Sequence, residues 1–275
     1  MKIYDSHIHS ENSHDGRDTV VSIAESACGM GLTGITITDH FDCEKYSCRA
    51  DFEHIYKSMW DIESAKVLFD GKLEIFKGAE IGDWMYRKET GDTFLKTGNP
   101  DFILASLHSA ATGSRCIPGF GGYRDFAKTS YQQDCDFLDY YYDSMVYTAE
   151  NADFDSLAHL TYPLRYMNGM CKKNMSLDNQ QDKIIHILKT LISREKALEI
   201  NTSGLKGDWL VTTMPSEDIL KIYRSLGGEL ITVGSDSHTA DGIALGFEKT
   251  FDMLRSVGFD KYYHYKNRLP VSVSL

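Results

Sequence analysis

Tyr4-Asp5-Ser6-His7-Ile8-His9 opens the chain, and Thr232-Val233-Gly234-Ser235-Asp236-Ser237-His238 stands near its other end. Each is a short run of strand-forming residues that finishes in side chains able to ligate a metal. Residues i and i+2 share one face of a strand, so His7 and His9 project together, as do Asp236 and His238. Five further runs lie between these two. Together the seven predicted strands are Lys2–His9, Leu32–His40, Leu73–Gly82, Phe102–Ala110, Ser156–Tyr162, Ala197–Ser203 and Leu230–His238. Most are entered through Gly or Pro, at Gly29 and Gly31, Pro100, or Gly227-Gly228.

Between the strands the apolar period changes from two to about 3.6. Thr19–Met30 reads as a helix behind an Asp18 cap, and Asp51–Phe69 as another, with Phe52, Ile55, Met59, Ile62 and Leu68 on one face. Asp182–Arg194 repeats the spacing. Met214-Pro215-Ser216 opens a helix that Gly227-Gly228 ends. Strands alternating with helices imply a parallel sheet, and seven such units predict a barrel. Without a repeat, linker or low-complexity tract, residues 1–275 read as one domain. Gly113–Tyr142 is the least regular stretch and predicts an active-site loop followed by a helix.

Composition narrows the function. A hydrophobic fraction of 42% with 25% charged residues is that of a globular protein. The net charge of −11 argues against nucleic acid or an anionic membrane as partner. Metal cations inside a cleft can nonetheless invert the local field and admit a small anionic substrate. Neither a membrane-spanning apolar run nor a signal-peptide pattern is present, so a cytoplasmic location is expected. Cys28, Cys43, Cys48, Cys116, Cys135 and Cys171 are scattered and read as reduced thiols.

Of the ten histidines, His7, His9, His40, His108, His159 and His238 fall at or near predicted strand ends. In a parallel barrel those ends gather at one mouth, where catalytic groups are found. An apolar run ending in His, as in Leu104-Ala105-Ser106-Leu107-His108 or Leu157-Ala158-His159-Leu160, costs desolvation unless the ring has a partner. Glu80, between small residues, can bridge two metals. Imidazole with carboxylate suits Zn, Mn or Fe better than Ca or Mg. In the loop after the first strand, either His14 or Asp15 could reach a metal, with Asp15 favoured. His54, His186 and His264 read as structural or solvated.

These residues resemble the polymerase and histidinol phosphatase (PHP) superfamily. The resemblance runs in order through Asp5-Ser6-His7-Ile8-His9, Ser13-His14-Asp15-Gly16, Thr36-Ile37-Thr38-Asp39-His40, Gly78-Ala79-Glu80, Ser106-Leu107-His108-Ser109, Ala158-His159-Leu160 and Gly234-Ser235-Asp236-Ser237-His238. It implies a distorted (β/α)7 TIM-like barrel with two to three divalent metal ions. His7, His9, Glu80 and Asp236 would hold the first; Glu80, His108 and His159 the second; Asp15, His40 and His238 the third. Size, and the absence of a polymerase extension, resemble the histidinol-phosphatase branch. Hydrolysis of L-histidinol phosphate in histidine biosynthesis is therefore the expected activity.

His159-Leu160-Thr161-Tyr162-Pro163-Leu164-Arg165 resembles the segment in which a histidine ligand is followed by a phosphate-binding arginine. Glu199-Ile200-Asn201-Thr202-Ser203-Gly204-Leu205 resembles the segment ending the sixth strand. There Lys206 stands where the pattern has Arg, keeping the charge without the bidentate fork. The implied substrate contacts are Arg165, Lys206, Asn201 and Ser203, and the implied catalytic residues are Asp236, Glu80 and Arg165. Asn201 and Ser203 could equally line the barrel. Asp42, Asp83, Trp84 and Tyr162 are unranked candidates for the rest of the substrate. The alternatives are another phosphoesterase of this superfamily, acting on a nucleotide or phosphotyrosine monoester, and a non-catalytic metal-binding protein. Metal-dependent amidohydrolases commonly need a lysine on the fourth strand, which this one lacks.

Overall fold

The structure, a computed structural model, describes residues 1–43, 52–108, 123–207 and 210–275. Its centre is a parallel sheet of β1 (Tyr4–Ile8), β2 (Gly34–Ile37), β3 (His40–Asp42), β4 (Glu74–Gly82), β5 (Phe102–Ser106), β6 (Ser156–Leu157), β7 (Ala197–Asn201) and β8 (Ile231–Gly234). The strands neighbour one another in the order β1-β2-β4-β5-β6-β7-β8, with β3 also on β4. Nearly every residue of these strands is buried, as expected where both faces are covered. The first and last strands meet through His9 N–H to the Ser237 carbonyl at 2.8 Å and Asp236 N–H to the His7 carbonyl at 2.8 Å. This seam makes the sheet a nearly closed barrel.

Helices α1 (Val20–Gly29), α2 (Glu53–Leu68), α3 (Lys88–Gly98), α4 (Tyr131–Asn151), α5 (Tyr162–Leu164), α6 (Gln181–Ser193), α7 (Glu217–Ser225) and α8 (Phe247–Val257) fill the connections. The sequence reading anticipates α1, α2, α6 and α7 but names no helix for α3, α5 or α8, and Leu68, expected on the apolar face of α2, is 61% exposed. Val20, Ile23, Ala24 and Ala27 of α1, and Ile184, Ile187, Leu188 and Leu191 of α6, face inward. Ser130 and Gln133 form a capping box at the start of α4. Thr19, not Asp18, caps α1, its hydroxyl accepting from Ser22 N–H. No helix among the described residues is long and apolar enough to cross a membrane.

Three sequence expectations need correcting. The predicted second strand is two pieces, β2 and β3, that share one register on β4 (Ile37 opposite Lys77, His40 opposite Glu80). At Thr38 the ladder is interrupted: its hydroxyl, in place of a backbone carbonyl, accepts the Ile8 N–H of β1 at 3.1 Å. A Cβ at Gly78 would lie 2.7 Å from Thr38 Cγ2, so the glycine makes room for this distortion. The fifth predicted strand is only the bridge Ser156–Leu157, since His159 turns away at φ 24 and Tyr162 starts α5. The ends of the predicted strand Phe102–Ala110 and helix Asp51–Phe69, the loop after Gly113, Cys48 and Cys116 lie outside the described residues.

The third correction is the C-terminal hairpin of β9 (Lys261–Lys266) and β10 (Leu269–Ser274), which the sequence reading leaves without structure. Asn267 and Arg268 take φ values of 51 and 62, the positive pair that a tight two-residue hairpin turn requires. The hairpin lies across the N-terminal ends of the barrel strands. Tyr262 hydroxyl accepts Tyr4 N–H, Arg268 pairs with Asp155, and His264 stacks on Tyr4 with centroids 3.9 Å apart.

His264 is 3% exposed and its Nδ1 has no hydrogen-bond partner among the described residues. Burial pushes its pKa down to about 4. The unfolded chain, with the ring near the usual ~6.5, therefore binds this proton more readily than the fold. Its contribution to stability is complete above that unfolded value and is lost as pH falls towards about 4. His264→Phe keeps an aromatic stack and removes the proton acceptor. Its urea midpoint should fall less between pH 6.5 and 4 than that of the unsubstituted chain. An equal fall would show that the ring's ionisation is irrelevant to acid stability.

Candidate metal centre

At the C-terminal ends of the strands, the side chains predicted from opposite ends of the chain converge. His7 and His9 leave β1 where its register on β2 slips between Asp5 and Ile8, a bulge that re-aims the strand end. Asp236 and His238 follow β8, Glu80 lies in β4, and His40 begins β3. His108 and His159 follow β5 and β6. His7, His9, Glu80, His159 and Asp236 are all less than a tenth exposed.

The contacts sort into three groups. His7 Nε2 stands 3.0 Å from His9 Nε2, 3.4 Å from Glu80 Oε2 and 3.6 Å from Asp236 Oδ1. His9 Nε2 is 3.4 and 3.3 Å from the same two oxygens. Ligands about 2.1 Å from a shared ion at tetrahedral angles stand roughly 3.4 Å apart. The other carboxylate oxygen, Glu80 Oε1, is 3.0 Å from His108 Nε2 and 2.8 Å from His159 Nε2. The two oxygens of Glu80 thus face different groups, the geometry a bridging ligand needs. Asp15 forms the third group, 3.0 Å from His238 Nε2 and 3.5 Å from His40 Nε2.

His40 departs from the expected partition. Its Nε2 faces Asp15, but its Nδ1 is 3.1 Å from Glu80 Oε2, so the ring reaches from the third group to the bridging acid. His14 stands at the edge of the cluster: its side chain is 57% exposed, 3.8 Å from Asp15, and its ring lies 5.0 Å from that of His40.

The acids of the cluster are balanced mainly by the rings around them. Among the described residues, Arg165 is the one Lys or Arg paired with Asp15, Glu80 or Asp236. Burial works against the charges of Glu80 and Asp236, but the imidazoles around them outweigh it and hold both carboxyls well below the usual range. In return, His40 is pushed up to about 10, because Glu80 and Asp15 overcome its burial. His9, buried beside His40 and His238, is pushed down to about 3. Rings and acids so arranged are either sharing protons or sharing metal ions. Glu80 Oε2, His40 Nδ1 and His159 Nδ1 are buried without a hydrogen-bond partner among the described residues, which fits ligation at the first two atoms. Donor atoms close enough to share an ion gather as His9, Asp15, His40 and His238, as His7, His9 and Asp236, and as His40, Glu80 and His108, so His9 and His40 each reach two sets. Such imidazole and carboxylate donors suit Zn, Fe or Mn.

A ring of polar groups fixes the ligand rotamers. Asp42 Oδ1 is 3.1 Å from His108 Nδ1, and Asp83 accepts the His108 N–H at 3.0 Å. The Asp236 carbonyl is 3.0 Å from His238 Nδ1. Asp39 accepts from the hydroxyls of Ser10, Ser13 and Ser58. With its proton on Asp39, Ser13 can only accept from His9 Nδ1, 3.1 Å away, so Nε2 of His9 keeps its lone pair.

A family model for the PHP domain matches residues 5–203, more than half of the chain. The chain belongs to the PHP domain family. Among curated relatives, a Thermotoga maritima protein named "Probable histidinol-phosphatase" is 30% identical over 258 residues, 93% of each chain. A Lactococcus lactis histidinol-phosphatase is 30% identical over 264 residues, 94% of this chain and 93% of that one. A crystal structure of histidinol phosphate phosphatase from Lactococcus lactis, complexed with zinc, L-histidinol and phosphate, superposes with a TM-score of 0.80. It is 25% identical and covers 98% of this chain and 99% of that one.

Within this PHP barrel the predicted substrate contacts part company. Arg165 reaches the mouth, its Nη1 3.2 Å from Ser203 Oγ and 3.5 Å from Asp236 Oδ2, with its guanidinium over the rings of Tyr162 and Tyr166. Ser203 also donates towards Asp236 at 3.1 Å. Asn201 is turned inward instead: its amide donates to Glu199 at 3.3 Å and its oxygen accepts the backbone N–H of Ser203 at 3.0 Å. Lys206 is exposed beside residues 208–209, which lie outside the described ones. Trp84 is buried against Gly91 and belongs to the core, while Asp42 and Asp83 serve His108. The residue that sequence reading passed over is Glu199, 1% exposed and 2.5 Å from His7 Nδ1. An acid inside the apolar run Ala197-Leu198-Glu199-Ile200 was the available signal.

This geometry separates the two loop candidates. Asp15→Ala should lower the metal retained after dialysis by about one ion per chain, read by elemental analysis. His14→Ala should leave it unchanged, and the reverse pattern would reassign the ligand.

Proposed function

We propose that this chain is a metal-dependent phosphomonoesterase that hydrolyses L-histidinol phosphate to L-histidinol and phosphate, with residues 1–275 forming one domain. The carrying observation is the convergence of His7, His9, Asp15, His40, Glu80, His108, His159, Asp236 and His238 at one barrel mouth. Support comes from relatives of that name matching over nearly the whole length. We assign two to three divalent ions, with zinc the first to test because the Lactococcus lactis neighbour holds it.

Divalent ions, when bound, would neutralise phosphate oxygens and acidify a water for in-line attack. The protein's own part is positioning and charge. Glu80 and Asp236 are kept ionised by the rings around them and so remain available as ligands at neutral pH. Arg165 offers a planar fork to non-bridging phosphate oxygens, for which its present contact with Asp236 is a replaceable partner. Stacking near Tyr162 and Tyr166 limits the guanidinium's freedom before phosphate arrives. Ser203 steers both Arg165 and Asp236, while Asn201 holds Ser203. Lys206 adds positive charge at the rim. The net charge of −11 weighs against a nucleic-acid substrate and so favours a small ester.

The test is a panel of phosphate monoesters on protein purified without chelator. L-histidinol phosphate should exceed a nucleotide monoester and phosphotyrosine in kcat/KM by at least about tenfold. Turnover confined to another ester would overturn the substrate assignment while leaving the hydrolase intact. Removing metal by chelation and dialysis should abolish turnover, and adding zinc or manganese should restore it. Arg165→Met should cost about 10²–10³ in kcat/KM, as for loss of one charge-stabilising donor. A loss below about threefold would remove Arg165 from the phosphate site.

A further inference from the structure

Strand β7 supplies none of the nine proposed ligands, yet it places a carboxylate directly beneath them. Glu199 Oε1 is 2.5 Å from His7 Nδ1. Its Oε2 accepts the backbone N–H of His159 at 2.7 Å and the side-chain amide of Asn201 at 3.3 Å. His7 belongs to the first proposed ligand group and His159 to the second. One buried side chain therefore holds a member of each.

The neighbourhood is built around this contact. A Cβ at Gly234 would lie 2.8 Å from Glu199 Oε1 and 2.4 Å from His7 Cβ, so glycine there leaves space for the pair. His159 adopts φ 24, a conformation uncommon for a residue with a side chain, and its N–H is the one Glu199 captures. An ionised carboxylate only accepts, so the proton in the His7–Glu199 bond sits on Nδ1. In the neutral ring that metal binding requires, His7 Nε2 then faces Glu80, His9 and Asp236 as a lone pair.

We infer that Glu199 is a positioning residue that couples the first two metal groups, setting the tautomer of His7 with one oxygen and the backbone of His159 with the other. This rests on the metal reading proposed above. The consequence is specific to the acid. Glutamine has nearly the same shape but only one accepting oxygen, whereas N–H donors converge on both ends of Glu199. If its oxygen stays on His159, its NH2 group meets His7 Nδ1, drives the proton to Nε2 and points it into the first group. If it is flipped, the NH2 group opposes the His159 N–H. Either way one ligand loses its support, while Asp15, His40 and His238 make no contact with the change.

The test compares the whole chain with Glu199→Gln, both stripped of metal and titrated with zinc against a chromogenic chelator. Glu199→Gln should bind zinc about 10–100-fold more weakly in the first two groups and retain the third. Nitrogen-15 NMR of histidine-labelled protein supplies a readout that general destabilisation would not move. His7, identified by loss of its signal in His7→Asn, should carry its proton on Nδ1 in the unsubstituted chain and on Nε2 in a Glu199→Gln chain that keeps the His159 contact. Equal zinc affinity and stoichiometry in both chains would overturn the coupling. Zinc uptake by neither would overturn the metal reading and the coupling with it. Should Glu199→Gln fail to fold, the unsubstituted chain still decides: a proton on His7 Nε2 in the zinc-loaded protein would defeat the inference.

Discussion

Two backbone hydrogen bonds carry the site. His9 N–H to Ser237 and Asp236 N–H to His7 join segments that lie more than two hundred residues apart in the chain. Without that seam the sheet would be open, and a HxH pair on one edge would never meet a DxH pair on the other. Asp5 reinforces the join by accepting from His7 and Ser235 N–H with one oxygen and Ala244 N–H with the other. Burial pushes Asp5 up to about 6, offset in part by these donors. The same hydrogen bonds that close the barrel thus set the spacing of its ligands.

Closure concentrates buried charge at the mouth of the barrel. Carboxylates from β4, from the loop after β8 and from the loop after β1 are drawn into a space shared by six imidazoles, with one guanidinium beside them. Buried charge is tolerated when it is paired or coordinated. Each acid in the cluster meets ring nitrogens at distances that suit ligands of a common ion, and a surrounding set of acids and hydroxyls fixes several of those rings. Asp39 acts through Ser13, Asp42 directly on His108, and Glu199 on His7. Preorganisation of this kind removes reorganisation from the reaction itself.

The two ends of the barrel do different work. At the N-terminal end, the hairpin of β9 and β10 covers strand starts with aromatic rings and anchors itself through Asp101 and Asp155. Those contacts serve stability. At the C-terminal end the strands are short or distorted, as in the split of β2 from β3 and the turn at His159. Irregular backbone there aims side chains that a regular ladder would point elsewhere. Arg165 arrives by the same route, on a helical segment that follows the turn at His159 after the shortest strand.

Periodicity alone determined the alternation of strands and helices, and ligand-type residues at the ends of those strands announced the mouth. Both are local properties, written in residues a few positions apart. The C-terminal hairpin escaped that reading because its first strand carries aromatic rings on both faces and its turn, Asn267-Arg268, lacks the glycine that usually marks one. The break after Ile37 escaped it because Thr38 looks like any strand residue until Ile8 is beside it. What only the tertiary structure decided is who meets whom: that Glu80 divides its oxygens between two groups, that His40 spans from Asp15 to Glu80, that Asn201 faces Glu199, and that Glu199 underlies His7. Such pairings join residues tens to hundreds of positions apart. They depend on register and closure, which no single segment encodes.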